Sequence, residues 1–504
     1  MQCLEKPNVK ESLLEPKHVQ ETHHARPSLL SNLPRPSREQ KQHQEDQEPP
    51  KSLTKKNKSQ RLGLLPLIFL IYFHVSGGPY GQEPVVGAAG PFFAILGFIA
   101  FPIFWSAPEA LITAELSTAF PNNGGFVIWA HTAFGPFWGY LMGSWKFLSG
   151  VINLASFPGL CIGYVESVAP GLVSSTLTRF SVVFFSTSIL SLMNFTGLHV
   201  VAYASIPLAI ISLFPFLVLS CVAIPQIDPS KWMVVNQVGR NKEWKRFFNS
   251  LLWNLNCWDS VSTLVGEIKN PKKTIPKALV SSMGFTSLAY LIPLLTSIGA
   301  ISMDLDDWID GYYAVIAEDI AGPWLKRWIK LGSVISGCGL FQAQLSTCSY
   351  QLQGMADLGI LPQIFGKRSS YFDTPWVGIV ISTFVGLSVS ALRLEDMRVS
   401  VNFLYSMGML LEFGAFLWLR VKFPETHRPF KVPIGLHGLI GMCSIPCVVL
   451  LYLIFVAGIG VYLLFFVLSL LGIVLYFVLG ILKANMWLEF NNVDNKKITD
   501  EDLG

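Results

Sequence analysis

The residue with the clearest chemical capacity is an aspartate inside a long apolar stretch. Asp259 lies in FFNSLLWNLNCWDSVSTLVGEIKNPKKTIPKAL, residues 247–279, among aromatic and aliphatic neighbours. An ionised carboxylate in such surroundings is costly unless another group pairs with it. A bound cation would supply that pairing, and the alternative is an ion pair with a Lys or Arg elsewhere in the chain.

Four neighbours of Asp259 add groups that bind cations or amides. Trp253 and Trp258 present aromatic faces that hold an alkylammonium by cation–π contact, worth up to about 2 kcal/mol when water is excluded. Either is equally suited to core packing. Asn254 and Asn256 carry amides that satisfy either an unwound backbone or a ligand, and the sequence does not separate these roles.

Several titratable residues in apolar segments are candidates for carrying a proton. Glu109 and Glu115 are six residues apart, hence roughly 120° apart around a helix, and do not face one point; we interpret Glu115 as structural. Glu83 and Glu109 are placed to exchange a proton, while Lys146 either neutralises an acid or replaces a sodium ion. For each of these groups the alternative is a static buried ion pair. His74 titrates near neutral pH when accessible, but a single histidine on an apolar helix also fits a packing role.

The elements that must position these residues are membrane helices. Of 504 residues, 51% are hydrophobic and 14% are charged, with a mean hydropathy of +0.46, whereas soluble domains carry about 25% charged residues. Apolar runs of about 20 residues, enough to cross the hydrocarbon, recur along the chain; a membrane barrel would show short alternating segments instead. We predict an all-α membrane protein with twelve transmembrane helices, at residues 64–87, 91–119, 137–165, 179–196, 199–224, 247–267, 275–302, 328–357, 375–392, 399–419, 434–458 and 460–482.

The segments outside the spans set the predicted topology. Residues 1–61 are polar and predict a disordered cytosolic tail, residues 62–482 form the membrane domain, and residues 483–504 form a cytosolic C-terminal tail. Basic residues cluster before the first span and after the sixth, eighth and tenth, which places both termini in the cytosol, although those between the fifth and sixth spans dissent. The net charge of +4 comes from these loops, so nucleic-acid binding is not expected.

The sequence gives no sign of catalytic or metal chemistry. The eight cysteines lack the CxxC pairs of a zinc or redox site and fit small buried hydrophobes. No pairing of nucleophile with base and no metal-ligand spacing is present. We therefore predict neither an enzyme nor a cofactor.

Two predicted spans are interrupted. FHVSGGPYGQEP, residues 73–84, breaks the first span with three glycines and two prolines, and the sixth span is broken near Asp259. Unwound backbone at that depth is tolerated only where it lines a cavity or is buried in protein. Interruptions five spans apart predict a five-plus-five inverted repeat with broken helices 1 and 6 and a ligand near the midplane between them, which favours a transporter over a channel.

Longer motifs resemble a known superfamily of amino acid, polyamine and organocation transporters. They are ALITAELSTAFPNNGGFVIWAHTAFGPFWGY (110–140), GEIKNPKKTIPKAL (266–279), GMADLGILPQIFG (354–366) and WLRVKFPETHRPFKVP (418–433). VSGGPYG (75–81), WSAPEALITAE (105–115) and WNLNCWDS (253–260) resemble the plant polyamine uptake transporters, which are relatives of the L-type amino acid transporters. The resemblance implies a LeuT-like fold and proton-coupled uptake of putrescine, spermidine or spermine through a multi-pass protein of the plasma membrane; the oligomeric state stays open.

The resemblance also implies roles for individual residues. Trp253 stands at the family's aromatic gate, and Asp259 stands where L-type relatives carry Asn, which fits a cationic ligand. Tyr405 stands where the family places an aromatic near the substrate. The predicted substrate-binding residues are Ser76, Gly77, Gly78, Trp253, Asn254, Asn256, Trp258, Asp259 and Tyr405, and the proton-coupling candidates are Glu83, Glu109, Lys146 and His74.

The sequence departs from the family pattern at four positions that are usually acidic, which carry His74, Asn153, Gln344 and Cys348. Three hypotheses follow. The first is a proton-driven importer of polyamines or other organic cations, which Asp259 and the family signature at Pro79 favour. The second is an amino acid permease or exchanger, in which backbone donors around Ser76 to Gly78 capture a carboxylate at a helix N-terminus, and the lost acids favour it. The third is a transport-inactive scaffold or sensor.

Overall fold

Helices make up most of the described chain. This computed structural model describes residues 61–158, 162, 171, 175–235, 241–301, 304–390 and 394–491. The longer helices within these residues are α1 (Leu64–Val75), α2 (Glu83–Ala89), α3 (Pro91–Phe101), α4 (Ala107–Ala119), α5 (Phe126–Phe134), α6 (Pro136–Leu154), α7 (Thr176–Phe195), α8 (Leu198–Ala223), α9 (Trp244–Leu255), α10 (Pro271–Ala300), α11 (Tyr312–Ala321), α12 (Pro323–Asp357), α13 (Trp376–Val389), α14 (Leu394–Lys422), α15 (Leu436–Phe455) and α16 (Ile459–Ala484). Residues 1–60 of the predicted N-terminal tail (1–61), residues 492–504 of the predicted C-terminal tail (483–504), and parts of the predicted spans 137–165, 275–302 and 375–392 lie outside the described residues.

Seven helical stretches of the described chain are long and apolar enough to cross a membrane. They are Pro91–Ala119, Thr176–Phe195, Leu198–Gln226, Pro271–Ala300, Met397–Lys422, Leu436–Phe455 and Ile459–Ala484. In Met397–Lys422, 72% of the most apolar window is buried, whereas none of that window is buried in Ile459–Ala484. Helix α14 is therefore central and α16 is peripheral. The all-helical prediction is confirmed for the described residues, and the count of twelve spans stays a prediction.

Shorter helices complete the predicted spans or connect them. Helices α1 and α13 are apolar and coincide with the first and ninth predicted spans. Helices α5 and α11 were not predicted, because neither is long enough to register as a span. The span predicted for residues 137–165 corresponds to α6, which ends at Leu154.

The first predicted interruption is present between α1 and α2. The backbone leaves the helix at Ser76, which is extended, and does not return to it until Glu83. Gly78 and Gly81 have φ angles of 86° and 85°, a region that other residues rarely adopt. A Cβ atom on Gly81 would also lie 2.7 Å from the ring of Trp253. Glycine is thus required at this position by both backbone angle and packing.

The second interruption lies between α9 and a 3₁₀ segment, Trp258–Glu267. Asn256 is extended and Cys257 adopts the left-handed conformation with φ of 68°, which costs about 1–2 kcal/mol for a residue other than glycine. The Cys257 N–H donates to the Tyr405 hydroxyl at 2.9 Å. A side chain from α14 therefore stabilises the break.

The two interrupted segments contact each other at two levels. At the breaks, the Asn254 amide donates to the carbonyl of Gly81 at 2.9 Å. Farther along, Leu62 and Ile268 form a parallel bridge. In that bridge the Leu62 N–H donates to the Glu267 carbonyl, and the Lys269 N–H donates to the Leu62 carbonyl, each at 2.9 Å.

Helices α3 and α4 form one continuous helical element. A π-helical turn at Pro102–Ser106 joins them, and turns of this kind occur frequently at functional sites. Glu109 follows within one turn and is fully buried. This element therefore places a carboxylate beside the second interruption.

Candidate functional site

A small inner cavity of about 20 Å³ lies against the second break. Four elements supply its polar lining: α6, the 3₁₀ segment, α12 and α14. A space of this size holds about one water molecule. The lining residues central to its chemistry are Lys146, Asn153, Asp259, Gln344, Thr347 and Tyr405.

Asp259 pairs with a lysine of the same chain. Its Oδ2 lies 2.5 Å from the Lys146 Nζ, and the two side chains are 1% and 4% exposed. Glu412 on α14 lies 3.5 Å from the same nitrogen. The structure therefore contains the ion pair that sequence reasoning had given as the alternative to a bound cation. The sequence interpretation missed Glu412, although it is an acid within an apolar span, which was the signal that identified Asp259.

The Lys146 ammonium also contacts aromatic rings. It lies 4.1 Å from the ring centroid of Tyr405 and 5.2 Å from that of Phe126. The Tyr405 hydroxyl donates to the Glu109 carboxylate, which also accepts from the Asp259 N–H at 3.2 Å. Tyr405 therefore joins the acid of α4 to the second break, in addition to contacting the lysine.

Two of the four positions that depart from the family pattern line the inner cavity, and a third, Cys348, contacts one of them. Asn153 and Gln344 line it, and their amides are 3.4 Å apart. The Gln344 amide donates to the Cys348 sulfur at 3.8 Å. These walls offer hydrogen bonds but no charge. His74 is held between α1 and α12, with Nε2 at 3.0 Å from the Ala343 carbonyl and 2.7 Å from the Thr347 hydroxyl, which fits the packing role.

A larger outer cavity of about 290 Å³ lies on the other side of Trp253. Trp253 lines this cavity, and its indole N–H donates to the amide oxygen of Asn153, which lines the inner one, at 3.2 Å. The indole therefore stands at the boundary between the two cavities. The outer lining also includes Tyr80, Glu83, Asp310 and Arg398.

Arg398 occupies the face of Trp253. Its guanidinium carbon lies 4.7 Å from the ring centroid, and its Nη2 lies 3.2 Å from the Asp310 carboxylate. The two charged side chains are 12% and 45% exposed. Sequence reasoning did not identify Arg398, because an arginine at the start of a membrane span carries no distinguishing pattern.

Glu83 faces the outer cavity rather than Asp259. It is 1% exposed, and its carboxylate accepts from the Gly81 N–H at 2.8 Å and from the Gly311 N–H at 3.2 Å. The acid therefore joins the first break to the loop that carries Asp310.

Other predicted binding residues are occupied by contacts within the protein. The Ser76 hydroxyl accepts from the Gly78 N–H at 2.9 Å, and the Gly77 carbonyl accepts from Ser336 on α12. The Trp258 indole donates to the Leu255 carbonyl at 2.9 Å and is buried, as a packing role requires. Neither Ser76, Gly77, Gly78 nor Trp258 is among the residues that line the inner cavity.

The asparagines of the second break differ in their partners. The Asn254 side-chain nitrogen donates to the Gly81 carbonyl and also to the Ser250 carbonyl at 2.8 Å. The main-chain oxygen and the side-chain oxygen of Asn254 both accept from the Tyr290 hydroxyl. Asn256 is buried, and within the described residues its amide nitrogen has no hydrogen-bond partner. Asn254 thus satisfies the backbone, while Asn256 keeps an available donor.

Glu115 lies away from both cavities, at the opposite end of α4. Its carboxylate accepts from two Arg420 nitrogens at 2.6 Å each, lies 3.1 Å from Arg428 and accepts from the Val432 N–H at 2.8 Å. This buried cluster fits the structural role inferred for Glu115.

Comparison with known proteins places the chain in a family. Residues 62–480 match the amino acid permease family. The chain is 45% identical over 435 residues to a probable polyamine transporter of Arabidopsis thaliana, covering 86% of this chain and 89% of that protein. It is 43% identical over 430 residues to a polyamine transporter of Oryza sativa subsp. japonica, covering 85% and 80%, and 22% identical to a branched-chain amino acid permease of Bacillus subtilis (strain 168), covering 68% and 77%. The predicted resemblance is confirmed: the chain is a multi-pass integral membrane protein that belongs to the amino acid permease family.

Proposed function

We propose that the protein is a secondary active transporter that imports polyamines, such as putrescine, spermidine or spermine, or related organic cations. The observation that carries this proposal is the contact between the two interrupted helices, beside which lie two cavities, each with a carboxylate in its lining. The names of the relatives support the substrate class.

The architecture we propose is a twelve-helix, LeuT-like five-plus-five inverted repeat. The breaks in the first and sixth predicted spans, which contact each other, support this architecture. We further propose that residues 1–61 and 483–504 are cytosolic tails on a protein of the plasma membrane. In this orientation the loop with Asp310, and with it the outer cavity, faces the exterior.

In the proposed cycle, the outer cavity receives the cation and Trp253 controls its passage inward. An ammonium that approaches the indole face meets Asp310, whose carboxylate is half-exposed. The rest of the substrate chain extends toward the inner cavity, where the amides of Asn153 and Gln344 offer hydrogen-bonding groups.

Glu83 is the proton carrier that we favour. Its carboxylate accepts from the N–H groups of Gly81 and Gly311, so protonation removes acceptor capacity and weakens the contact between the first break and the outer loop. Proton uptake and movement of that loop would thus be linked. The other candidates are Glu109 and Lys146 at the second break and His74 beside α12.

An amino acid permease or exchanger is the second candidate. Two observations favour it: Lys146 already neutralises Asp259, and the inner walls carry amides in place of the acids that a polycation would use. A zwitterion requires only one carboxylate for its amine. The family description fits this candidate as well.

Uptake by reconstituted protein tests the proposal. Liposomes with an acidic exterior are given labelled putrescine, spermidine, leucine or lysine, with protein-free liposomes as the control. We expect polyamine uptake that increases with the inward proton gradient. Asp259→Asn should abolish this uptake, because it removes a negative charge beside Lys146 and Glu412 at the second break. Trp258→Phe, at a packing position in the same segment, is the matched control and should retain uptake. Uptake of leucine without any polyamine would establish the second candidate instead.

A further inference from the structure

We propose that Lys146 is a tethered occupant of an ammonium-binding site, and that it keeps the ammonium groups of substrates out of the inner cavity. The site itself is defined by contacts within the protein, and only its consequence for substrate choice rests on the proposed transport function. Lys146 would then determine specificity without carrying substrate or proton.

The groups around the Lys146 ammonium are those that bind a free ammonium. Asp259 on the 3₁₀ segment and Glu412 on α14 lie 2.5 Å and 3.5 Å from Nζ. The sulfur of Met409 lies at 2.8 Å. Glu412 is fully buried and lies within ion-pair distance of the ammonium without a hydrogen bond to it.

Two aromatic rings complete the site. Tyr405 and Phe126 lie 4.1 Å and 5.2 Å from Nζ, and both are buried. Aromatic faces attract ammonium cations, and proteins use cages of aromatic rings to bind alkylammonium ligands. We name this set, Asp259, Glu412, Met409, Tyr405 and Phe126, the ammonium cage.

The approach to the ammonium cage fits an unbranched chain. A Cβ atom on Gly408 would lie 2.8 Å from the Lys146 Cε and 3.1 Å from its Cγ. The glycine therefore leaves a slot for the methylene stem of the lysine. Truncation of Lys146 to alanine would remove three carbons and the nitrogen, which together correspond to n-propylammonium.

The occupied cage has a consequence for substrates. Asp259 is the one acid among the described residues that line the inner cavity, and Lys146 is paired with it. The nearby polar walls, Asn153 and Gln344, are neutral. A substrate ammonium therefore meets no free carboxylate in the inner cavity and has to be recognised at the outer one.

Chemical rescue tests the ammonium cage. Lys146→Ala is purified in detergent, and its thermal unfolding is followed in ammonium, methyl-, ethyl-, n-propyl- and n-hexylammonium chloride at constant ionic strength, with sodium chloride as reference. We expect the Tm of the variant to be lower than that of the wild type. Added amine should raise this Tm in a saturable way, and n-propylammonium should be the most effective. The wild type should show no optimum in chain length. Lys146→Ala/Asp259→Asn, which lacks the main carboxylate, should not respond.

A second arm addresses specificity. Because truncation opens the cage to one end of a polyamine, spermidine should stabilise Lys146→Ala at a concentration about tenfold lower than the wild type requires, equivalent to about 1.4 kcal/mol of binding free energy. An equal response of the two proteins would overturn the claim that Lys146 excludes substrate ammonium.

The remaining outcomes also decide the proposal. Rescue with no chain-length optimum, or an equal optimum in the wild type, would mean that no ammonium site forms around Lys146. If Lys146→Ala does not fold without amine, it is expressed with n-propylammonium and compared with Lys146→Ala/Glu412→Gln, which carries one fewer unpaired acid. Failure of both variants to fold with amine present overturns the proposal. Because unfolding is measured without transport, absence of polyamine uptake in liposomes would leave this result intact.

Discussion

The inner and outer cavities use the same three kinds of group in different settings. At the inner cavity an aspartate, a lysine and a tyrosine ring come together: Asp259, Lys146 and Tyr405. At the outer cavity an aspartate, an arginine and a tryptophan ring do so: Asp310, Arg398 and Trp253. Each acid is neutralised by a cation of the chain, and each cation lies on an aromatic face.

Burial separates the two arrangements. The inner charged side chains are 1% and 4% exposed, and the outer ones are 45% and 12% exposed. Removal of one partner from a buried pair costs about 3–5 kcal/mol, whereas exposed pairs contribute about 0.2–1 kcal/mol. An arriving ammonium can therefore displace Arg398 far more readily than Lys146. The same kinds of group therefore build a fixed ion pair at the inner cavity and an exchangeable one at the outer cavity.

The largest expected effect breaks the inner pair. Lys146→Met leaves Asp259 and Glu412 buried without their cation, and we expect the free energy of unfolding to fall by about 3–5 kcal/mol. Denaturant unfolding in detergent measures the loss. Lys146→Met/Asp259→Asn removes both charges of the pair and should recover most of it. If the double variant were no more stable than the single one, the ion pair would not be the source of the loss.

A smaller effect separates the ring of Tyr405 from its hydroxyl. Tyr405→Phe keeps the aromatic face beside Lys146 but removes the acceptor of the Cys257 N–H and a donor to Glu109. A buried group left unsatisfied costs about 1–3 kcal/mol, so we expect a loss of that size in the same unfolding assay. Tyr462→Phe, which removes a hydroxyl from a partly buried contact with the Ile454 carbonyl, is the matched control and should cost less. Equal losses would contradict a special role for the second break.

The smallest effect on stability is expected at the outer pair. Arg398→Gln should change the free energy of unfolding by no more than about 1 kcal/mol. It should also lower the KM for an organic cation, because Asp310 and the face of Trp253 become available. Arg398→Lys, which keeps the charge, is the control for KM. A stability loss like that of Lys146→Met would remove the distinction between the cavities.

Local composition predicted the two helix breaks but not the contacts made across them. Gly78, Pro79 and Gly81 interrupt the first predicted span through their own backbone preferences, which the sequence alone reveals. The partner of Asp259 is 113 residues away in the chain, and its identity depends on how α6 packs against the 3₁₀ segment. Sequence reasoning could therefore state the alternatives for Asp259 without choosing between them.

The predicted site combines residues of both breaks, Ser76, Gly77 and Gly78 with Asp259, and stays a prediction. The structure satisfies much of the first break internally, through the Ser76 hydroxyl and through Ser336 of α12. A hydrogen bond supplied by a distant helix cannot be inferred from the residues of the break itself, and the same holds for the Gly311 N–H that contacts Glu83.

The bridge between Leu62 and Ile268 couples the two interrupted segments to each other. It joins the residues that precede α1 to the end of the 3₁₀ segment through main-chain hydrogen bonds alone. A displacement of either segment would therefore move the other. Such a joint is indifferent to the side chains at its positions. Only proline, which has no N–H to donate, would remove these bonds at positions 62 and 269. The coupling therefore leaves almost no pattern of residue types in the sequence.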